Sequence, residues 1–390
     1  MADINVGAFV STEEIFADER IIDMDPKMRL IDPDSTQFVT MTQRMPSRVA
    51  TREKFNWMEE QYVQNVFTLD AAYTSGATTV SVGTAEAAAI KPNDILRNMT
   101  TGEALLVTAV GANGDLTVVP SVGNVASAAG TSGDKLVFIG SAFEQGAPLP
   151  DPKYSQRVLG FNYTEIFRSS WEFSKTATSI ELAGGREPAK EAARKSVEHK
   201  RELEHNAFFG ARDFYTTGVG PRGTAGGLIE FIVSNRADVN GELTSDYLDL
   251  FLTTVLAKGS SDKVIFTGTV GAYYISRWNR SGQGAFWKPS NESVHGVKVD
   301  GYVSGVFGFQ IPIVVKKEWA NYPSGDAGYN GNMFIVDMTN VERRPLRDRD
   351  TKMLTNRQNP GDDKYAAEYL TEMGWTVANE KTHGLLTGIS

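Results

Sequence analysis

One long charged helix constrains the fold of this chain more than any other segment. Residues 187–209, EPAKEAARKSVEHKRELEHNAFF, continue without an internal helix breaker. Pro188 stands in the first turn, where proline is tolerated, and Gly210 supplies a C-terminal stop. A helix of about twenty residues is roughly 30 Å long. The apolar stripe on this predicted helix is thin and consists of Ala189, Ala192, Ala193, Val197, Leu203 and Ala207. We therefore predict a strut that packs along one narrow face and presents a wide charged face.

The composition changes abruptly in residues 71–140, which contain only eight charged residues and are rich in Gly, Ala, Ser, Thr and Val. Short β-type runs alternate there with turn signals such as Asn113-Gly114 and Ser132-Gly133. Strands at this spacing with Asn-Gly turns are typical of a small antiparallel barrel or sandwich. Because the flanking residues differ in character, the segment is predicted to be an insertion.

The first 62 residues have the character of an arm. Pro26, Pro33 and Pro46 interrupt the apolar residues, and the charges follow no helical period. Such a segment cannot bury enough apolar surface by itself to offset its conformational entropy. We therefore expect it to lie on another surface. The remaining chain mixes helical and strand patterns without regular alternation, so the predicted class is α+β.

Charge and composition exclude several classes of function. A net charge of −9 disfavours tight binding to nucleic-acid phosphates, which requires clustered Lys and Arg. The absence of cysteine excludes thiolate metal sites, cysteine nucleophiles and disulfide frameworks. No signal peptide and no run of 18 apolar residues is visible, so we expect no membrane span.

The four histidines are the first candidates for chemistry. Glu202/His205, Glu292/His295 and Glu380/His383 each have the Glu-x-x-His spacing of a di-iron carboxylate site, but only the first pair lies on a convincing helix. We favour solvated residues with incidental spacing and predict no catalytic residue, no cofactor and no metal. A metal-dependent enzyme that uses Glu202 and His205 is the alternative from another class.

A second charge cluster occupies residues 342–352, ERRPLRDRDTK, with eight charges in eleven positions. The favoured interpretation is a solvated strand edge, because charge protects edges against unwanted pairing. The alternative is a ladder of complementary charges between subunits.

The order of these parts resembles a known family, the tailed-bacteriophage major capsid proteins with the Hong Kong 97-like fold. The subgroup it resembles has a β-rich insertion in its extended loop. Many members carry a coiled-coil scaffolding segment before the arm; no heptad run is visible before the arm here, so we expect scaffolding to be a separate protein or unnecessary. The segments that carry the resemblance are IIDMDPKMRLIDPDSTQF, FNWMEEQYV, VLGFNYTEIFRSSWEFSKTA, REPAKEAARKSVEHKRELEHNAFFGAR, GPRGTAGGL, TSDYLDLFLTTVLAKG with VIFTG, and the tail from PLRDRDTK to HGLL.

The resemblance implies a division of the chain into the parts of that fold. The implied parts are an N-terminal arm (1–62), an extended loop (63–165) with a β-rich insertion at about 69–140, a peripheral domain (166–250 and 340–390) that includes the spine helix 187–209, and an axial domain (251–339).

The resemblance also implies a function. Copies of the chain would assemble into hexamers and pentamers of an icosahedral shell around double-stranded DNA, without sequence-specific binding. Portal, scaffolding and decoration proteins would be partners. The shell would form in the host bacterial cytoplasm and become part of the virion. An encapsulin-like nanocompartment is the alternative with the same fold.

Residues at the contacts between subunits are predicted from the two charged regions and the glycine-rich loop at 218–227. The candidates are Glu198, Arg201, Glu202, Arg222, Arg343, Arg344, Arg347, Asp348, Arg349 and Asp350.

Overall fold

The computed structural model describes most of the chain from Thr36 onward. Residues 1–35, which include most of the predicted arm, lie outside the described residues, as do Glu292 and His295. By its internal contacts the chain divides into a main unit, residues 1–57 and 161–390, and a barrel unit, residues 58–160. The described residues are 36–390 except 61, 64, 156, 180–186, 217, 219, 281–286, 289–292, 295–296, 299, 304–309 and 322–328.

The helices of the described residues are mostly short, with one exception. That exception is α4, whose bounds, Glu187–Phe209, are those predicted from the sequence. The α-helices are α1 (Gln37–Arg44), α2 (Thr84–Ala87), α3 (Lys175–Ser179), α4 (Glu187–Phe209), α5 (Leu228–Phe231), α6 (Ser245–Leu256) and α7 (Thr269–Arg280). Short 3-10 helices occupy Lys317–Asn321, Tyr329–Gly331, Met338–Asn340 and Glu380–Thr382.

Strands make up most of the remaining regular structure. They are β1 (Lys54–Glu59), β2 (Val66–Thr68), β3 (Thr79–Ser81), β4 (Asp94–Asn98), β5 (Ala104–Val110), β6 (Asp115–Val119), β7 (Lys135–Ser141), β8 (Val158–Tyr163), β9 (Glu165–Ser174), β10 (Asp213–Tyr215), β11 (Arg222–Thr224), β12 (Arg236–Gly241), β13 (Lys263–Thr267), β14 (Trp287–Lys288), β15 (Ser293–Val294), β16 (Val297–Lys298), β17 (Asp300–Val303), β18 (Gln310–Val315), β19 (Met333–Asp337), β20 (Val341–Pro345), β21 (Lys352–Thr355), β22 (Lys364–Val377) and β23 (Gly384–Ile389).

A seven-stranded mixed sheet forms the centre of the main unit, with strand order β12-β23-β19-β13-β18-β17-β14. Strands β13, β19 and β23 are buried at every residue. A sheet that is covered on both faces needs apolar residues on both sides of each strand, which explains continuous apolar runs such as MFIV in β19. Val264 and Phe266 belong to one core cluster and Ile265 to another, because successive side chains point to opposite faces.

Helices α1 and α4 contribute to the first of these two clusters. Phe38 of α1 has its ring centroid 4.9 Å from that of Phe208 of α4. It also lies 5.3 Å from Phe266 and 5.7 Å from Trp375. Aromatic pairs of this kind add to the free energy of apolar burial. The segment that the sequence marks as an arm therefore lies, from Gln37 to Arg44, on the core of its own chain.

Helices α6 and α7 contribute to the second cluster. Leu248 and Leu252 of α6 and Ile275 of α7 are fully buried in it. Thr244 caps α6, because its hydroxyl accepts a hydrogen bond from the backbone N–H of Tyr247 at 3.3 Å.

A second sheet of the main unit consists of β9, β20, β21 and β22. Strand β9 pairs antiparallel with β22 over ten residues, from Glu165 opposite Met373 to Ser174 opposite Lys364. Strands β20 and β21 also pair antiparallel with β22. This sheet supports the second predicted charge cluster, which begins in β20.

The barrel unit contains a six-stranded antiparallel sheet with the order β2-β7-β4-β5-β6-β3. An antiparallel bridge between Leu69 and Val82 joins its two edge strands and closes the sheet. Its core contains Leu96, Leu105 and Leu116, all 0% exposed. The prediction of a small antiparallel barrel is confirmed.

The predicted boundary between the peripheral and axial parts divides the strands of one sheet, and the division itself stays a prediction. That boundary assigns β12 and β23 to the peripheral domain, whereas both belong to the seven-stranded sheet together with β13, β18 and β19. The reason is the long-range parallel pairing of β12 with β23, in which Arg236 lies opposite Leu385. No local pattern in the sequence reveals such a pairing. Among the described residues, no helix is long and apolar enough to cross a membrane.

Candidate assembly interface

The long helix α4 presents its predicted interface residues in three different ways. Glu198 is half-buried and bonds Arg194 and Lys195 on its own helix. The hydrogen bond from Lys195, with the charges of both cations, lowers the pKa of Glu198 despite some burial. Arg201 is half-buried and lies 3.9 Å from Glu318. Glu202 is exposed, and its carboxylate lies 3.5 Å from the Ser169 hydroxyl on β9.

The same helix buries two polar side chains that were expected to face solvent. His199 is 1% exposed. Its Nδ1 lies 2.9 Å from the Ser169 hydroxyl and its Nε2 lies 2.7 Å from the Thr371 hydroxyl. Burial lowers the pKa of His199, which favours the neutral ring. His199 is therefore buried although it lies outside the predicted apolar stripe, because β9 and β22 cover that side of the helix.

Glu204 is the second buried polar side chain of α4, with 3% of its surface exposed. Its carboxylate accepts hydrogen bonds from the backbone N–H groups of Phe38 and Val39 at 2.9 and 2.8 Å. It also forms an ion pair with Lys316, which is 2% exposed. A carboxylate at these N–H groups satisfies free donors in the first turn of α1 and interacts favourably with the helix dipole. Glu204 thus joins α1, α4 and the end of β18.

Sequence reasoning missed this buried ion pair. Glu204 stands between the stripe residues Leu203 and Ala207, and Lys316 directly follows the apolar strand β18. A charged residue next to apolar neighbours was the available sign that each side chain is buried. Because Glu204 and Lys316 are more than a hundred residues apart, the sequence did not show that they form a pair.

The candidate enzyme pair does not form a common site. The Nε2 atom of His205 lies 3.3 Å from a carboxylate oxygen of Glu318, whereas Glu202 contacts Ser169. Burial alone would raise the pKa of Glu318, but the hydrogen bond and charge of His205, with Arg201 and Lys316, lower it. Within the described ranges, no group of three or more Asp, Glu or His side chains is arranged to hold a metal ion.

The Glu380/His383 pair is also structural. His383 is 0% exposed; its Nδ1 accepts from the backbone N–H of Asp337 at 3.1 Å, and its Nε2 lies 3.2 Å from the carbonyl oxygen of Ala378. Burial lowers the pKa of His383 to about 4. The prediction of a solvated histidine is therefore wrong for His383, because this residue directly precedes the fully buried strand β23.

The charge cluster at 342–352 divides into buried and exposed members. Arg343 is 9% exposed and forms a bidentate ion pair with Asp350 at 2.9 and 3.0 Å. Arg349 pairs with Glu372 on β22. A solvated edge is therefore the wrong description of Arg343, because the chain turns after β20 and brings Asp350 back to it.

The other members of the cluster face outward or lie at the surface of β20. Arg344 is half-buried; its Nε donates to the Thr376 hydroxyl at 3.0 Å, and it lies 3.7 Å from Glu342. Burial, in spite of Glu342, lowers the pKa of Arg344. Arg347 and Asp348 are exposed, and so is Arg222 in β11. Their roles at a contact between subunits stay predictions.

The barrel unit has a feature that the sequence analysis did not single out. The two segments that flank the barrel expose large apolar side chains. Large apolar side chains that are exposed along the same segment are candidates for an interaction surface. The exposed fractions are 69% for Met58, 101% for Tyr62, 95% for Leu149, 77% for Tyr154, 60% for Val158 and 59% for Leu159.

Solved structures with the same architecture define the class of this fold. A structure from Microbacterium phage Oxtober96 is similar with a TM-score of 0.51 and 12% identity, covering 98% of this chain and 100% of that chain. The capsid of an empty GTA particle, computed with C5 symmetry, is similar with a TM-score of 0.50 and 10% identity, covering 97% and 98%. The chain has the Hong Kong 97-like capsid fold, as predicted.

A family model identifies the group within that class. The model described as SU10 major capsid protein matches residues 6–390. The chain therefore belongs to the SU10 major capsid protein family, and the resemblance to major capsid proteins of tailed phages is confirmed.

A curated relative is consistent with this family. The major capsid protein of Pseudomonas phage PaMx41 is 26% identical over 257 residues, which are 63% of this chain. The match spans 60% of the length of that relative.

Proposed function

We propose that this chain is the shell-forming subunit of a tailed-phage head. Copies assemble into hexamers and pentamers of an icosahedral shell that encloses double-stranded DNA. Membership of the SU10 major capsid protein family supports this proposal. The net charge of −9 also fits a wall that holds DNA without adhering to it.

The exposed apolar side chains of the barrel unit carry the argument for assembly. Four large apolar side chains in the segment that leaves the barrel are each more than half exposed, namely Leu149, Tyr154, Val158 and Leu159. Covering a Leu or Val side chain contributes about 1.5–3 kcal/mol. A neighbouring copy in a closed lattice can bury these groups at every subunit, because identical contacts repeat around the shell.

Exposed charges supply the remaining proposed contacts. Glu202 on α4, Arg222 on β11, and Arg347 with Asp348 after β20 are exposed. Charges of both signs at the rim of a contact determine register and partner choice more than affinity. Arg343 and Arg349 contribute indirectly, since their ion pairs with Asp350 and Glu372 hold the 346–350 turn in place.

Further features of the proposal follow from the fold. Residues 166–250 and 340–390, which include α4, are the proposed peripheral domain, and residues 251–339 are the proposed axial domain. Portal, scaffolding and decoration proteins are the proposed partners, and assembly takes place in the host cytoplasm. The chain has no enzymatic role in this proposal.

The size of the purified protein tests shell formation. Sedimentation and negative-stain microscopy should show megadalton particles or capsomer rings, and a uniform monomer or dimer would contradict the proposal. Particles that hold protein cargo in place of DNA would favour an encapsulin-like compartment. His205→Ala should leave both assembly and metal content unchanged, and loss of a bound metal would revive the enzyme alternative.

A further inference from the structure

A row of basic residues begins at Arg44, the last residue of helix α1, on the surface of the main unit. Arg44, Arg48, Arg52 and Lys54 are all exposed, and Glu53 is the one acidic residue between Arg44 and Lys54. The segment therefore has a net charge of +3 in a chain whose net charge is −9.

Another basic residue lies beside this row because the turn after β20 pairs with it. The backbone N–H of Ala50 donates to the carbonyl oxygen of Pro345 at 2.8 Å, and that of Arg347 donates to Ala50 at 3.0 Å. Arg347 is exposed. We call the five residues Arg44, Arg48, Arg52, Lys54 and Arg347 the basic strip.

Within the described part of the chain, Arg48, Arg52 and Arg347 are neutralised only weakly. Arg48 is 72% exposed and lies 3.7 Å from Glu342, a pair that contributes little in water. Among the described residues, Arg52 and Arg347 form no ion pair. The ammonium group of Lys54 lies 4.1 Å from the centre of the Phe161 ring.

The surface beside the strip is concave. A groove of about 640 Å³ is lined by Thr51, Arg52, Glu53, Lys54, Asn56 and Leu346. It therefore combines two cations, one carboxylate, polar groups and one apolar side chain, and this excess of cations suits an acidic peptide with occasional apolar residues.

The N-terminal segment of the chain has this chemistry. Residues 1–35 contain nine acidic and three basic residues, a net charge of −6, with apolar residues between them. The segment ends at Thr36, where Glu204 holds the first turn of α1. Helix α1 has eight residues and is about 12 Å long, so it holds the end of the segment close to the start of the strip. A chain of 35 residues can span at most roughly 115 Å, so its length does not prevent contact with the strip.

We propose that the basic strip binds the acidic N-terminal segment, residues 1–35, of the same chain. Attachment through α1 gives the segment a high effective concentration at the strip, so weak individual pairs suffice. DNA is the competing polyanion, but five cations on a chain with net charge −9 form a poor phosphate surface. This contact is intramolecular and does not depend on shell formation.

Carbodiimide coupling of the full-length, unassembled chain tests the proposal. This reagent joins a carboxylate to an amine in direct contact, and Lys54 is the one amine of the strip. Coupling is carried out on an equal mixture of ¹⁴N and ¹⁵N chains, followed by peptide mass spectrometry. We expect peptides that join an acidic residue of 1–35 to Lys54, with both parts carrying the same isotope.

Charge variants make the test specific. Arg52→Glu with Arg347→Glu should lower the yield of this crosslink about tenfold, because two surface attractions become repulsions. Arg97→Glu, at an exposed site of the barrel unit, should leave the yield unchanged. Glu13→Gln with Glu14→Gln changes only the segment itself and should also lower the yield.

Three results would overturn the proposal. The first is absence of the crosslink while the 2.7 Å pair of Lys364 and Glu172 is coupled in the same sample. The second is a crosslink of mixed isotopes, which would assign the segment to a second copy. The third is loss of the crosslink on addition of short duplex DNA, which would assign the strip to nucleic acid.

Discussion

The main unit and the barrel unit differ in how their strands bury apolar side chains. In the main unit, β13, β19 and β23 are buried at every residue, and helices contribute to core clusters on the two faces of the sheet. In the barrel unit, a strand such as β6 alternates between exposed and buried residues around one small core. Strand β6 therefore buries one face, whereas β13, β19 and β23 bury both faces.

The two units also differ in the partners of their buried charged side chains. The main unit encloses ion pairs with both partners almost inaccessible, Glu204 with Lys316 and Lys263 with Asp337. In the barrel unit, the buried Glu103 accepts hydrogen bonds from the Tyr73 hydroxyl and from the backbone N–H groups of Ser121 and Ala128. Buried charge couples α1, α4 and β18 in the main unit, so loss of one partner should affect several elements together.

Glu204→Ala should have the largest effect on stability. It leaves Lys316 buried without its carboxylate and exposes the first-turn N–H groups of α1, at a cost of about 3–5 kcal/mol. Urea unfolding followed by tryptophan fluorescence measures this loss, since all six tryptophans belong to the main unit. Glu198→Ala, on the same helix but in partly exposed pairs, is the matched control and should cost less than about 1 kcal/mol. Equal losses in both variants would refute a special role for the buried pair.

Leu116→Ala should destabilise the barrel unit by about 2–5 kcal/mol, because it opens a cavity in a core with few residues. Amide hydrogen exchange should accelerate in β4, β5 and β6, while the tryptophan-detected unfolding of the main unit stays within about 0.5 kcal/mol of the parent. Val119→Ala, at a site on the same strand that is 47% exposed, is the control. A parallel loss of stability in the main unit would show that the two units unfold together.

Acid should destabilise the main unit before the barrel unit. The pKa of His383 is lowered by burial to about 4, so the unfolded state binds the proton more readily. This contribution is complete above the ordinary histidine pKa of 6.5 and is lost, by about 3 kcal/mol, as the pH falls towards 4. His383→Gln should flatten the pH dependence of tryptophan-detected unfolding between these values, and an unchanged slope would exclude His383 as its source.

The barrel unit contains no histidine, so it lacks this transition. Its Asp134 has a pKa lowered to about 2 by hydrogen bonds from the Thr131 backbone and from Thr100 and Asn98. A depressed carboxylate pKa stabilises the fold above its ordinary value of 3.8, and this contribution is lost as the pH falls towards 2. Amide exchange in β4 and β7 at pH 5 should therefore match exchange at pH 7 after correction for intrinsic rates.

Leu149→Asp should have the smallest effect on stability, within about 0.5 kcal/mol, because the side chain is 95% exposed. In contrast, the fraction of protein in megadalton particles should fall sharply, since a charge in a buried contact between subunits is costly. Val233→Asp, at a site in the main unit that is 71% exposed, serves as the control. Normal assembly of the Leu149 variant would remove this segment from the proposed interface.

Local patterns in the sequence were sufficient for several parts of this protein. Pro188, Gly210 and the uninterrupted charged run predicted α4 at its observed bounds. Turn residues such as Asn113-Gly114 predicted antiparallel strands in the barrel, because short turns join β4 to β5 and β5 to β6. The order of these parts predicted the capsid class.

Only the tertiary structure revealed which charged residues are interior. Glu204, His199, Arg343 and His383 have the composition of surface residues, yet each is buried by a partner far along the chain or beyond a turn. A buried charge is stable only beside a partner group, and that partner often comes from a distant part of the chain. The residues next to the charge in the sequence therefore do not show that it will be buried. Local patterns predicted α4 and the strands of the barrel, whereas pairing between distant strands set the sheet boundaries and the polar core.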